Sequence, residues 1–209
     1  MFPRHALSSA LRPGYWLSEI SPLERFEPDG VPRSRFPYPD WHFEPLKATK
    51  GRRMVPLLAP GVNAPDFSLP RDGGGNVSLV DFAGRNLVLY FYPKADTPGC
   101  TREAQAFSGL RRSFEAAGTA ILGVSADPVR AQDRFKAKYD LSIPLASDET
   151  HRMLSAYGAW GEKSMYGRKF MGVIRKTFLI DRQGRIARIW PKVSVEGHAE
   201  DVLAAAKSL

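Results

Sequence analysis

The chain has 209 residues, 43% of them hydrophobic, with one cysteine and a formal charge of +8. That length suits one domain with an extension and an ample core, the lone cysteine excludes an internal disulfide, and no apolar run approaches the roughly eighteen residues of a membrane span. The basic balance suits an anionic partner, but Lys and Arg are spread along the chain rather than run together, so nucleic acid is set aside.

The segment from Met1 to about Arg53 carries eight prolines and no sustained period of 2 or 3.6, so little regular structure is expected over residues 1–54. Tyr15, Trp16, Phe26, Phe36, Tyr38, Trp41 and Phe43 are unusual in a freely solvated linker, and part of the segment is expected to dock. Its start lacks the apolar centre of a secretory signal, and Glu19, Glu24, Glu27 and Asp29 are wrong for an acid-poor transit peptide. A start site at Met54 is a third reading, since the compact domain is expected over residues 55–209.

From Ala64 the chain alternates like an edge strand to Pro70, turns through the glycine-rich Arg71 to Asn76, and resumes extended structure at Val77-Ser78-Leu79, a hairpin pattern. Asn86 to Tyr92 is continuously apolar, as a central strand covered on both faces should be. A loop with Pro93 and Pro98 follows, then a helix from around Cys100 in which Phe107, Leu110 and Phe114 repeat at helical spacing, with Gly118 past its end. Thr119–Ser125 reads as a second buried strand, Pro128 opens a helix through Tyr139, and Leu145–Ser147 is a short strand. Asp148 to about Tyr157 reads as helix. Val173–Ile180 and Ile186–Trp190 read as a hairpin about the turn at Asp181–Gly184, and Glu196–Lys207 as the last helix. Strands alternating with helices, then a hairpin and a helix, predict an α/β sandwich with a mixed sheet.

The loop delivers Cys100 to a helix start, where unpaired backbone N–H groups and the positive end of the dipole favour a thiolate. A small buried hydrophobe is the plain alternative for a lone cysteine. Thr97 lies three residues earlier, so a turn brings its hydroxyl beside the sulfur or lets it cap the helix. Gly99 permits close backbone approach, and the two prolines restrict the loop.

Pro93-x-x-x-Thr97-x-x-Cys100 resembles the signature of the peroxiredoxins, thiol peroxidases with a thioredoxin-like fold. Phe91 to Glu103, together with Trp160-Gly161-Glu162-Lys163 and Thr177-Phe178-Leu179-Ile180-Asp181, is similar to the bacterioferritin comigratory protein or Q-type branch. The resemblance covers about residue 55 to the C-terminus. It implies that Cys100 attacks a peroxide and becomes a sulfenic acid, that Thr97 orients the peroxide, and that Pro93 shields the thiolate. It also implies a distant arginine beside the sulfur, placed at Arg175; an ordinary surface charge is the plain alternative. The N–H groups of Gly99 and Cys100 would face the reacting oxygen. Glu103 matches an acidic position of this branch, either supporting the arginine or standing solvated in the first turn. Tyr92 is read as core packing that can reach the pocket wall, and Trp160 is expected to pack. His151 and His198 lack partners at metal-ligand spacing, so neither a metal nor a cofactor is assigned.

Members of this branch with a resolving cysteine often carry it five residues after the first, where this chain has Gln105. The resemblance therefore implies a one-Cys peroxidase for hydrogen peroxide and organic hydroperoxides, recycled by thioredoxin, glutaredoxin or a low-molecular-weight thiol. A monomer or weak homodimer in the cytoplasm is expected, since lone cysteines belong to reducing compartments. The alternative is a peroxide-responsive redox sensor or binding module on the same fold.

Overall fold

The computed structural model describes residues 58–165 and 167–209. The Pro-rich segment, its expected docking and the domain boundary near Met54 lie outside these residues. Strand β3, Asn86–Phe91, is buried at every position, which is what an unbroken apolar run requires. Two parallel neighbours lie to one side of it, β4 (Thr119–Ser125) and then β5 (Leu145–Ser147). On the other side β8 (Lys176–Ile180) runs antiparallel to β3, and β9 (Ile186–Trp190) antiparallel to β8. The five strands make the mixed sheet that the sequence predicts, in the order β5-β4-β3-β8-β9.

Successive side chains of a strand point to opposite faces, and β3 divides its core accordingly. Val88, Tyr90 and Tyr92 pack with Phe107 and Phe114 of α1 (Pro98–Ala116), Phe135 of α2 (Val129–Tyr139) and Val202 of α4 (His198–Lys207). Leu87, Leu89 and Phe91 pack with Leu154 of α3 (Arg152–Ala156), with Tyr157, and with Leu69 and Val77 of the hairpin β1 (Ser68–Pro70) and β2 (Asn76–Ser78). Helix α1 ends as expected: Gly118 takes φ +64° and its amide donates to Glu115 O at 2.9 Å.

Three expectations are corrected. Leu79 does not extend β2; it opens a 3-10 turn over Leu79–Phe82, because the Asp81 carboxylate draws in the amide and hydroxyl of Ser78 at 2.7 and 2.9 Å. The helix expected from Asp148 winds only over Arg152–Ala156. His151 stands at φ 58°, and the Asp148 carboxylate accepts from the amides of Arg152 and Leu154 at 3.2 and 2.8 Å, so the chain turns before it coils. The strand expected over Val173–Ile180 is two strands. Strand β7 (Arg168–Val173) pairs with β6 (Trp160–Met165) in an unforeseen hairpin, and the ladder breaks where Ile174 donates to Ala159 O at 2.7 Å.

Candidate active site

Beyond β3 the chain passes buried Tyr92 and half-buried Pro93 into the loop that carries Thr97. Helix α1 starts at Pro98, two residues before the expected start, with Thr97 at its N-cap position. Proline suits the first helical position, where an amide hydrogen would have no partner. Cys100 is thus the third helical residue, and helix geometry leaves the amides of Gly99 and Cys100 without an intrahelical acceptor. The hydroxyl of Thr97 caps nothing: it donates to Lys94 O at 2.9 Å, closing the loop on itself.

The break between β7 and β8 supplies the opposite wall. Arg175 lies in it, and its Nη2 donates to Cys100 Sγ at 3.1 Å. Its Nη1 donates to Glu103 Oε2, so one planar guanidinium joins the sulfur to a carboxylate one turn down the same helix. The Arg175 side chain is 16% exposed and that of Glu103 1%; Cys100 is 2% exposed. This burial is not that of an ordinary surface charge at Arg175 or of a solvated carboxylate at Glu103. A Cβ on Gly99 would meet Arg175 Nη2 at 3.5 Å, an ordinary contact, so space toward the arginine does not demand glycine there.

Burial pushes the Glu103 carboxyl up to about 7, with the Arg175 charge pulling the other way. Burial also works against the charge on Arg175, but Glu103 and Cys100 outweigh it and hold the guanidinium protonated. Oε1 of Glu103 has no hydrogen-bond partner among the described residues. The result is a desolvated cation fixed against one sulfur atom.

The loop is also held from α2, which the sequence reading did not single out. Asp96 stands at φ 59°, and its carboxylate accepts from Lys138 Nζ at 2.9 Å and Tyr139 Oη at 2.6 Å. Tyr92 is core, as expected, yet its hydroxyl donates to the buried amide of Gln132. A glutamine at helical spacing from Phe135 on the apolar face of α2 was the signal available for that partner. Trp160 is half-buried and stacks on His151 with ring centroids 3.7 Å apart. His198 is buried beside the Thr177 hydroxyl at 2.8 Å, and burial lowers it to about 4. Gln105 is exposed on α1.

The profile of the AhpC/TSA family matches residues 60–189. Peroxiredoxin Bcp of Xanthomonas campestris pv. campestris is 45% identical over 143 residues, spanning 68% of this chain and 89% of its own length. The chain belongs to the AhpC/TSA family, among its Bcp-type peroxiredoxins. Peroxiredoxin Bcp of Bacillus subtilis is 41% identical over 149 residues, spanning 71% of this chain and 95% of its own. Among solved structures, peroxiredoxin Q of Xanthomonas campestris has a TM-score of 0.67 at 42% identity, covering 71% of this peroxiredoxin and 97% of that chain. A structure of the bacterioferritin comigratory protein of the same organism, determined for its alkyl peroxide reduction activity, also has a TM-score of 0.67 at 42% identity, covering 72% and 98%. The sheet and helices of this peroxiredoxin are the thioredoxin-like fold that the Cys100 signature implied.

Proposed function

We propose that this peroxiredoxin reduces hydrogen peroxide and organic hydroperoxides through Cys100, with reducing equivalents from a thiol outside the subunit. The observation that carries the reading is the 3.1 Å contact between Arg175 Nη2 and the buried Cys100 Sγ. A fixed cation there favours the thiolate, and its remaining donor capacity can follow charge onto the oxygens as the O–O bond stretches. The thiolate attacks the distal oxygen; the S–O bond forms, the O–O bond breaks, sulfur gives up two electrons, and the departing alkoxide or hydroxide takes a proton as alcohol or water. The amides of Gly99 and Cys100, the Thr97 hydroxyl and Pro93 form the rest of the pocket. Alkyl peroxide reduction by the Xanthomonas campestris relative supports the same chemistry.

The sequence holds one cysteine, so the sulfenic acid is closed by another molecule. A first external thiol forms a mixed disulfide and releases water; a second returns Cys100 to thiol. Thioredoxin, glutaredoxin and low-molecular-weight thiols all supply that chemistry, acting on a monomer or weak homodimer in a reducing compartment such as the cytoplasm. Steady-state peroxide loss measured with each reductant in turn tests the proposal. Multiple turnovers with one of them are expected. A single stoichiometric oxidation of Cys100 with every reductant would leave a redox sensor instead.

A further inference from the structure

One largely buried hydrogen-bond chain ties the start and the middle of the Pro93–Thr97 loop to the end of β4. Tyr92 Oη donates to Gln132 Oε1 at the start of the loop. Gln132 Nε2 donates to Ser125 Oγ at 2.8 Å and to Ala146 O at 3.2 Å. Ser125 Oγ donates to Asp127 Oδ2 at 2.8 Å, and that same oxygen accepts the amide of Ala95, in the middle of the loop, at 2.7 Å. Asp127 is itself fixed: its amide donates to Ser125 Oγ at 3.1 Å, and its carbonyl accepts from Ser147 Oγ at 2.6 Å. Gln132, Ser125 and Ser147 are all at most 1% exposed. Such a chain has one low-energy arrangement, because releasing any member strands a buried polar group.

We infer that Asp127 is a positioning residue for the peroxide-binding loop: its carboxylate sets Ala95, and through Ala95 the placement of Thr97 and the Gly99 amide relative to the sulfur. The sulfur is held separately, by α1 and by Arg175 from the break before β8. Loss of Asp127 should therefore impair peroxide placement and leave the thiolate largely as it was. This inference rests on the peroxidase reading proposed above.

The test compares two rates on the prereduced full-length protein: oxidation of Cys100 by hydrogen peroxide and its alkylation by iodoacetamide, which needs the thiolate but no bound peroxide. Asp127→Ala is expected to slow oxidation by about tenfold or more, the range in which a misplaced reacting group is felt, while alkylation stays within about twofold. Asp127→Asn keeps an acceptor oxygen for Ala95 and Ser125 and is expected to recover most of the oxidation rate. Should Asp127→Ala fail to give folded protein by circular dichroism, Ser125→Ala cuts the chain between Gln132 and Asp127 and is expected to show the same split, at about threefold or more. Oxidation at the wild-type rate in the variant that folds would overturn the inference. Parallel loss of both rates would overturn it too, by pointing to general loosening. An Asn variant as slow as the Ala variant would replace placement by charge. A wild-type protein that alkylates but does not react with peroxide would remove the proposed function and this inference with it.

Discussion

Arg175 donates to the sulfur of Cys100 across 75 positions of sequence, at 3.1 Å, from a two-residue break between strands. The break matters as much as the residue. Within a regular strand the backbone would be committed to the ladder, whereas here the chain leaves β7, turns its arginine to the end of α1, and enters β8.

Arg175→Ala is expected to lower the second-order rate of Cys100 with hydrogen peroxide by about a hundredfold or more, the magnitude seen when one donor to a developing oxyanion is removed. Arg175→Lys should recover little, because an ammonium cannot reach the sulfur and Glu103 together in one plane. Stopped-flow oxidation of the two variants checks this; a lysine variant near wild type would make charge alone sufficient.

Thr97→Val should slow peroxide reduction more than Thr97→Ser. Only serine keeps a hydroxyl that can donate to Lys94 O, now at 2.9 Å, or turn to a ligand. Cys100→Ser should abolish turnover. Equal rates for the two Thr97 variants would remove the hydroxyl from the mechanism.

Glu103 gives stability a pH dependence whose sign is fixed. Its carboxyl rises from an ordinary 4.5 to about 7 on folding, so between those values the folded chain holds a proton that the unfolded chain has released. Stability from this group is complete below about 4.5 and is lost as pH rises through about 7. Urea midpoints from pH 5 to 8 should fall more steeply in the wild type than in Glu103→Gln, which has no proton to lose. Identical slopes would count against it.

Tyr90 and Gly123 face each other across β3 and β4, where a Cβ on Gly123 would lie 2.6 Å from the phenol of Tyr90. Tyr90 is fully buried, with no room to yield. Gly123→Ala should cost about 1–3 kcal/mol by overpacking. Tyr90→Phe should be close to neutral, since its hydroxyl has no hydrogen-bond partner among the described residues. Combining the two should cost less than Gly123→Ala alone, and denaturant unfolding of all three variants reads the coupling.

Deleting residues 1–53 should leave peroxide turnover largely intact, since every group placed around Cys100 lies downstream in the sequence. Loss of soluble protein would make that segment part of the fold.

The strands that the sequence made legible are those that turn apolar residues to a core and carry a chain-breaking glycine or proline near their ends. Asn86–Phe91, Thr119–Ser125 and Ile186–Trp190 were delimited to within a residue, because apolar runs bounded by glycine or proline leave little choice. Hairpin β6–β7 escaped because Arg168 to Met171 are all exposed, and a strand without a buried face has no alternation to betray it. At the site, the loop and helix start pointed to Thr97 and Cys100, whereas Arg175 came only from the family resemblance. The burial of Glu103 was not legible, because a carboxylate near a helix start ordinarily belongs in water, and only the arrival of Arg175 from elsewhere makes its burial tolerable. Asp127 and Gln132 were missed for a related reason: each is an ordinary polar residue until the fold lines them up with the loop.

The 2% exposure of Cys100 has a use outside catalysis. A thiol reagent too bulky for the pocket can reach the sulfur only when the first turn of α1 comes loose, so its labelling rate counts those openings as hydrogen exchange would. With one sulfhydryl in the sequence, no background has to be removed first. The chain carries its own gauge of how often that turn breathes.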